Sequence, residues 1–95
     1  MQSSNRTRNL VELYDRQKYS ILGVLTKAET PAPKKASVMI SIAKICKISA
    51  EILEEMRQSG PHSPEMKEAQ RIHHAWQDLL LFAWEATMVR KTDAA

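Results

Sequence analysis

The stretch VMISIAKICKISAEILEEM, residues Val38–Met56, decides the fold. Apolar or small residues recur in it at alternating spacings of four and three: Val38, Ile42, Ile45, Ser49, Ile52 and Met56. This spacing places them on one face of an α-helix, in a heptad-like stripe suited to packing against another helix at a shallow angle. Val38, Ile40 and Ile42 also alternate as in a strand, but the longer pattern through Met56 is helical.

A second helix is predicted upstream, over about residues 7–28. Its apolar residues also recur at helical spacings: Leu10, Leu13, Tyr14, Ile21, Val24 and Leu25. Gly23 and the β-branched residues around it lower the helix propensity near the end, which allows a kink there. Pro31 and Pro33 then separate this helix from the next one. Either Thr30 is the N-cap with Pro31 at the first helical position, or the helix begins just after Pro33.

A third helix is predicted downstream, over about residues 64–91. Gly60 suits a left-handed position after a helix end, and Pro61 cannot continue the helix. Ser63 is a good N-cap, and Pro64 suits the first turn. The helix then repeats apolar residues at alternating spacings of three and four: Ala69, Ile72, Trp76, Leu79, Ala83 and Ala86.

These segments predict an all-α fold in one domain of 95 residues. It consists of a flexible basic arm over residues 1–6 and helices over about 7–28, 34–59 and 64–91. Because the loops are short, we expect a three-helix antiparallel bundle, or a helical hairpin with an additional helix. A chain of this size builds only one thin core, so we also expect it to dimerise.

The run Leu79–Trp84, LLLFAW, is the most informative feature for function. A helix that packs on one side needs a stripe and not six consecutive apolar residues. Either this is the central helix, contacted on both sides, or its excess apolar surface binds a protein partner or a second copy. The residues predicted at such an interface are Trp76, Leu80, Leu81, Trp84 and Met88. Trp76, Trp84 and the Met residues of the second helix, residues 34–59, could line a pliable groove for an amphipathic partner helix, although such residues are more often core.

Charge is distributed unevenly between the two halves of the chain. Residues 1–50 hold nine Lys/Arg and three Asp/Glu, whereas residues 51–95 hold five and eight. The halves therefore either attract each other or present a basic surface to nucleic acid. Possible nucleic-acid contacts are Arg6, Arg8, Arg16, Lys18, Lys34 and Lys35. This signal is non-specific, because the charges are scattered and no aromatic residues interleave them.

No catalytic, cofactor or metal motif is predicted. His73 and His74 are adjacent and point about 100° apart on a helix, whereas metal ligands on one helix need spacings of three or four. His62 lies in the preceding loop and does not complete a ligand set. The single cysteine, Cys46, lies on the apolar side of its helix and is expected to be a buried structural thiol.

These observations predict a binding protein and not an enzyme. We expect a small helical protein-interaction module, acting as a regulator, adaptor or chaperone-like binder through helix–helix contacts. The alternative is a nucleic-acid-binding accessory protein that uses the basic N-terminal half. Neither a signal peptide nor a membrane-spanning run is seen, so a cytoplasmic location without membrane contact is expected.

Overall fold

The computed structural model describes the backbone of residues 2–60 and 64–94, and the side chains of residues 5–58, 60 and 64–87. The described residues form three α-helices and no strand: α1 (Gln2–Thr26), α2 (Ala32–Ser59) and α3 (Pro64–Ala94). The all-α prediction with three helices is therefore confirmed. Within this part of the chain, no helix combines the length and apolarity needed to cross a bilayer.

The three helices lie side by side. The molecule extends over 49 × 23 × 16 Å, and its long dimension is close to the length of about 46 Å expected for the 31-residue α3. Arg6, near the start of α1, contacts Glu55, near the end of α2, so these two helices are antiparallel. The most extensive packing joins α2 and α3 into a hairpin, and α1 lies against both of them.

The core is the set of stripes expected from the sequence. The buried apolar side chains are Leu10, Leu25, Ile42, Cys46, Ile52, Met56, Met66, Ala69, Ile72, Trp76, Leu79 and Ala83. Val38, Ile45 and Ala86 pack against them half-buried. Most residues of the predicted apolar stripes of α2 and α3 therefore face inward, as their helical spacing requires.

Trp76 is the centre of this core, with none of its surface exposed. Its indole N–H donates a hydrogen bond of 3.3 Å to the carbonyl oxygen of Leu10 in α1. The Tyr14 ring meets it edge-on, with ring centroids 5.3 Å apart. Aromatic side chains that bury a polar group need such a partner, so this bond and this contact tie α1 to α3.

The ends of α2 differ in detail from the prediction. Its N-cap is Pro31 and not Thr30, and the Pro31 carbonyl accepts hydrogen bonds from the backbone N–H groups of Lys34 and Lys35. Gly60 is not left-handed: its φ of 178° is extended, and its N–H donates to the Met56 carbonyl. Ser63, the predicted N-cap of α3, lies outside the described residues.

The N-terminal arm predicted over residues 1–6 differs from the structure, in which α1 begins at Gln2. Arg6 therefore lies within the helix, where it pairs with Glu55 at 2.9 Å. The helix also ends two residues earlier than predicted, at Thr26, whose hydroxyl donates to the Leu22 carbonyl. Between these ends α1 runs through Gly23 without a break in the helix.

Candidate functional site: an apolar groove between α2 and α3

The apolar run Leu79–Trp84 divides its side chains between the core and the surface. Leu79 and Ala83 are buried, because they continue the stripe that contains Trp76. Leu81 and Trp84 are 57% and 52% exposed. Neighbouring residues point about 100° apart, so six consecutive apolar residues necessarily surround more of a helix than one packing face covers.

The exposed part of this run borders a groove between α2 and α3, here called the α2–α3 groove. Its volume is about 570 Å³, and it is lined by Met39, Ile40, Ala43, Gln77, Leu80, Leu81 and Trp84. Ile40, on the α2 side, is 53% exposed. Gln77 is the one polar side chain among the lining residues. The groove is thus an apolar surface formed by two antiparallel helices.

The residues predicted at an interface fall into three groups. Leu80, Leu81 and Trp84 line the groove together. Trp76 lies in the core and contributes nothing to this surface. The side chain of Met88 lies outside the described residues.

The α2 side of the groove is formed by Met39, Ile40 and Ala43. The Met residues of this helix were predicted as groove residues, whereas Ile40 and Ala43 were missed. The available signal was Ile40, a large apolar residue about 160° from the Ile42 position on a helical wheel. Its alternation with Val38 and Ile42 resembles the pattern of a strand. On a helix, the same residue lies on a second apolar side.

Opposite charges border the two sides of the α2–α3 groove. Lys44 follows the groove residue Ile40 by one helical turn, and Lys47 follows Ala43 in the same way. On α3, Asp78 precedes Leu81 by three residues and Glu85 follows it by four. All four charged side chains are exposed. The α2 border is therefore basic and the α3 border acidic, since residues three or four apart share a helix face. These borders are formed by Lys44, Lys47, Asp78 and Glu85.

The residues predicted to contact nucleic acid do not form one surface. Lys35 is buried, with 2% of its surface exposed. Arg6 pairs with Glu55, and the Lys18 ammonium lies over the rings of Tyr14 and Tyr19, at 5.4 and 5.1 Å. Each of these three side chains is thus engaged within the fold.

The other three residues, Arg8, Arg16 and Lys34, are exposed but separated. Arg8 lines a cleft at the start of α3 together with two acidic residues, Glu65 and Glu68. Lys34 lies at the start of α2, near the opposite end of α1. A continuous basic surface along a phosphate backbone is therefore not formed by these residues.

One polar pair joins the two helices of the hairpin. The buried Ser49 hydroxyl donates a hydrogen bond of 2.9 Å to the Cys46 carbonyl, and it is also hydrogen-bonded to Nδ1 of His73. Burial, and then the neighbouring His74, lower the pKa of His73. A lowered pKa favours the neutral imidazole over the charged form.

The remaining residues considered for chemical roles are Cys46 and the potential metal ligands. Cys46 is buried, as predicted, and burial raises the pKa of its thiol. A raised pKa disfavours the thiolate, which is the nucleophilic form. Among the described residues, no three His, Cys, Asp or Glu side chains are grouped as metal ligands. His62 lies outside the described residues.

No protein-family model, curated protein sequence or solved structure matches the chain.

Proposed function

We propose that the protein is a protein-interaction module that binds through helix–helix contact, with the α2–α3 groove as its binding surface. One observation carries this proposal: Ile40, Leu81 and Trp84 stay more than half exposed beside the groove. The same two helices bury most of their apolar stripes elsewhere, and these three side chains are not among those packed against the core. Contiguous exposed apolar surface of this kind is typical of protein-binding sites.

The form of the groove favours the apolar face of a helix as its occupant. Two adjacent antiparallel helices make a trough into which a third can lie, with anchors at spacings of three and four. Leu80, Leu81 and Trp84 already show such spacing on α3. Met39 adds an unbranched, adaptable side chain, which suits irregular apolar partners. A small polar ligand would need several converging polar groups, whereas the lining offers Gln77.

The proposed role is that of a regulator, adaptor or chaperone-like binder. Each of these roles requires reversible apolar contact and no bond-making chemistry. Nucleic-acid binding is the weaker candidate, because Arg6 and Lys18 are engaged within the fold and Lys35 is buried. It would also be distinguished by affinity that falls steeply with salt.

The test is affinity capture of the tagged full chain from the lysate of its native cells, with and without nuclease. Three baits are compared: wild type, Trp84→Glu in the groove, and Tyr19→Glu as the matched control. Tyr19 is an aromatic residue on α1 with 75% of its surface exposed. Both substitutions therefore replace an exposed aromatic ring on a helix with the same carboxylate.

The expected result is a defined protein that survives nuclease, is retained by wild type and Tyr19→Glu, and is lost from Trp84→Glu. Circular dichroism checks that the three baits are equally helical. Equal retention by both variants, or no retained protein with wild type, contradicts the proposal. Capture that disappears with nuclease contradicts it as well and favours the basic N-terminal half.

A further inference from the structure

We infer that a second copy of this chain occupies the α2–α3 groove, with a two-fold axis parallel to the helices that places α2 of each copy against α3 of the other. This inference rests on the proposed function and names the partner for the same surface. The interface then consists of four helices, α2 and α3 from each copy, and every neighbouring pair of these helices is antiparallel.

The surface around the α2–α3 groove can pack against its own copy, because it contains both protruding apolar side chains and a cavity that can accept them. Leu81, Trp84 and Ile40 protrude beside the same volume that they line. In a two-fold contact, one patch meets its own copy, so the side chains of each copy can enter the groove of the other. Such a contact removes the exposed apolar surface of both copies at once.

The charges beside the groove select the direction of the two-fold axis. An axis perpendicular to the helices, through the middle of the groove and in the plane of the contact, sets α2 against α2 of the other copy in the opposite direction. Lys44 and Lys47 then lie opposite the start of that helix, residues 32–38, which carries Lys34 and no acidic residue. An axis parallel to the helices sets α2 against α3, so these lysines meet the border that carries Asp78 and Glu85. Opposite charges at an interface rim favour association, whereas like charges oppose it.

The parallel axis also preserves the position of each residue along the helices, which allows individual pairs to be identified. Ser49 contacts His73 across the antiparallel hairpin. Five residues towards the start of α2 is Lys44, and five towards the end of α3 is Asp78, so these two lie at one level. By the same count, Glu51 lies level with Arg71.

Both pairs, Lys44 with Asp78 and Glu51 with Arg71, are exposed and opposite in charge. The order of charges along α2 is basic then acidic, and along α3 at the same levels it is acidic then basic. The parallel axis therefore matches opposite charges at two separate levels, while the apolar groove meets its own copy.

The test is sedimentation velocity of the full chain over about 1–500 µM, a range suited to small and weak interfaces. The variants are Leu81→Glu, Lys44→Glu, Asp78→Lys and the double variant with both charges reversed. Arg16→Glu and Glu12→Lys are the matched controls, because they make the same charge reversals at exposed positions of α1. Circular dichroism confirms that each variant is helical.

Wild type is expected to reach twice the monomer mass of 10.8 kDa, and Leu81→Glu is expected to remain a monomer. Each single charge reversal at Lys44 or Asp78 should weaken association by about threefold to tenfold at low salt, since each dimer contains two such exposed pairs. The double variant should return to wild-type affinity. The differences should shrink in about 0.5 M salt, where exposed charges are screened.

Three outcomes overturn the inference. Wild type at monomer mass throughout the range excludes a second copy, and the capture experiment with Trp84→Glu then decides the proposed function separately. Self-association unchanged by Leu81→Glu places the contact on another surface. Tighter association of Lys44→Glu, or no recovery in the double variant, shows that α2 does not lie against α3 of the other copy.

Discussion

The two tryptophans of α3 provide a direct comparison of core and groove, because the same substitution should have opposite consequences at the two positions. We expect Trp76→Ala to cost about 3–5 kcal/mol in the free energy of unfolding, the range for removing a large buried aromatic side chain. Within this cost, the hydrogen bond to the Leu10 carbonyl accounts for about 1 kcal/mol. The edge-on contact with Tyr14 accounts for about 0.5–1.5 kcal/mol.

Trp84→Ala should cost less than about 1.5 kcal/mol, since half of the ring is already exposed and no cavity is left. Alanine also has the higher helix propensity, which offsets part of the loss. The binding consequences reverse this order. Trp84→Ala should weaken retention of the partner, whereas any Trp76→Ala molecules that remain folded keep the groove residues.

Urea unfolding followed by far-ultraviolet circular dichroism measures both costs without using tryptophan fluorescence. Several protein concentrations are needed, because self-association makes apparent stability depend on concentration. A Trp84→Ala cost equal to or greater than that of Trp76→Ala would refute the assignment of Trp76 to the core and Trp84 to the surface. The chain has one small core, so Trp76→Ala is expected to be close to its stability limit.

Three further predictions concern individual residues: Gly23, His73 and Cys46. Gly23→Ala should raise the free energy of unfolding by about 0.5–1 kcal/mol in thermal or urea melts, because α1 is helical there and a Cβ meets nothing within 4 Å. Stability should fall as the pH drops below about 6.5, because His73 in the folded chain has a lowered pKa and the unfolded chain takes up the proton first. His73→Gln should remove this dependence in urea melts from pH 5 to 8, and His74→Gln should retain most of it, since burial is the larger cause. Cys46 should react with a thiol reagent at least about tenfold more slowly in the folded chain than in urea, as expected for a buried thiol with a raised pKa.

The fold was largely predictable because its helices carry strong periodic signals. The α2 stripe from Ile42 to Met56 and the α3 stripe from Ala69 to Ala83 are mostly buried as their spacing predicts. The ends of the helices, and the start of α1 above all, were less predictable. Polar residues such as Gln2 and Arg6 have no apolar periodicity, and the contact of Arg6 with Glu55 depends on a helix 49 positions away.

The candidate site was predictable on α3, and on α2 only through Met39. The run Leu79–Trp84 showed that α3 carries more apolar surface than one packing face uses, but not which part stays exposed. That division depends on where α2 and α1 lie around α3, which places Trp76 against Leu10 and leaves Trp84 outside. Ile40 belongs to the site only because the hairpin brings it beside Leu80.

The hydrogen-bonded pair of Ser49 and His73 also has a consequence for the alignment of the hairpin. Heptad-like stripes tolerate sliding by one turn, about 5.4 Å, because one apolar layer resembles the next. Such a slide would set His73 against Ile45 or Leu53 and remove the hydrogen bond between its Nδ1 and the Ser49 hydroxyl, at a cost of about 0.5–1.5 kcal/mol. A single hydroxyl in an otherwise apolar stripe thus gives α2 and α3 one preferred register.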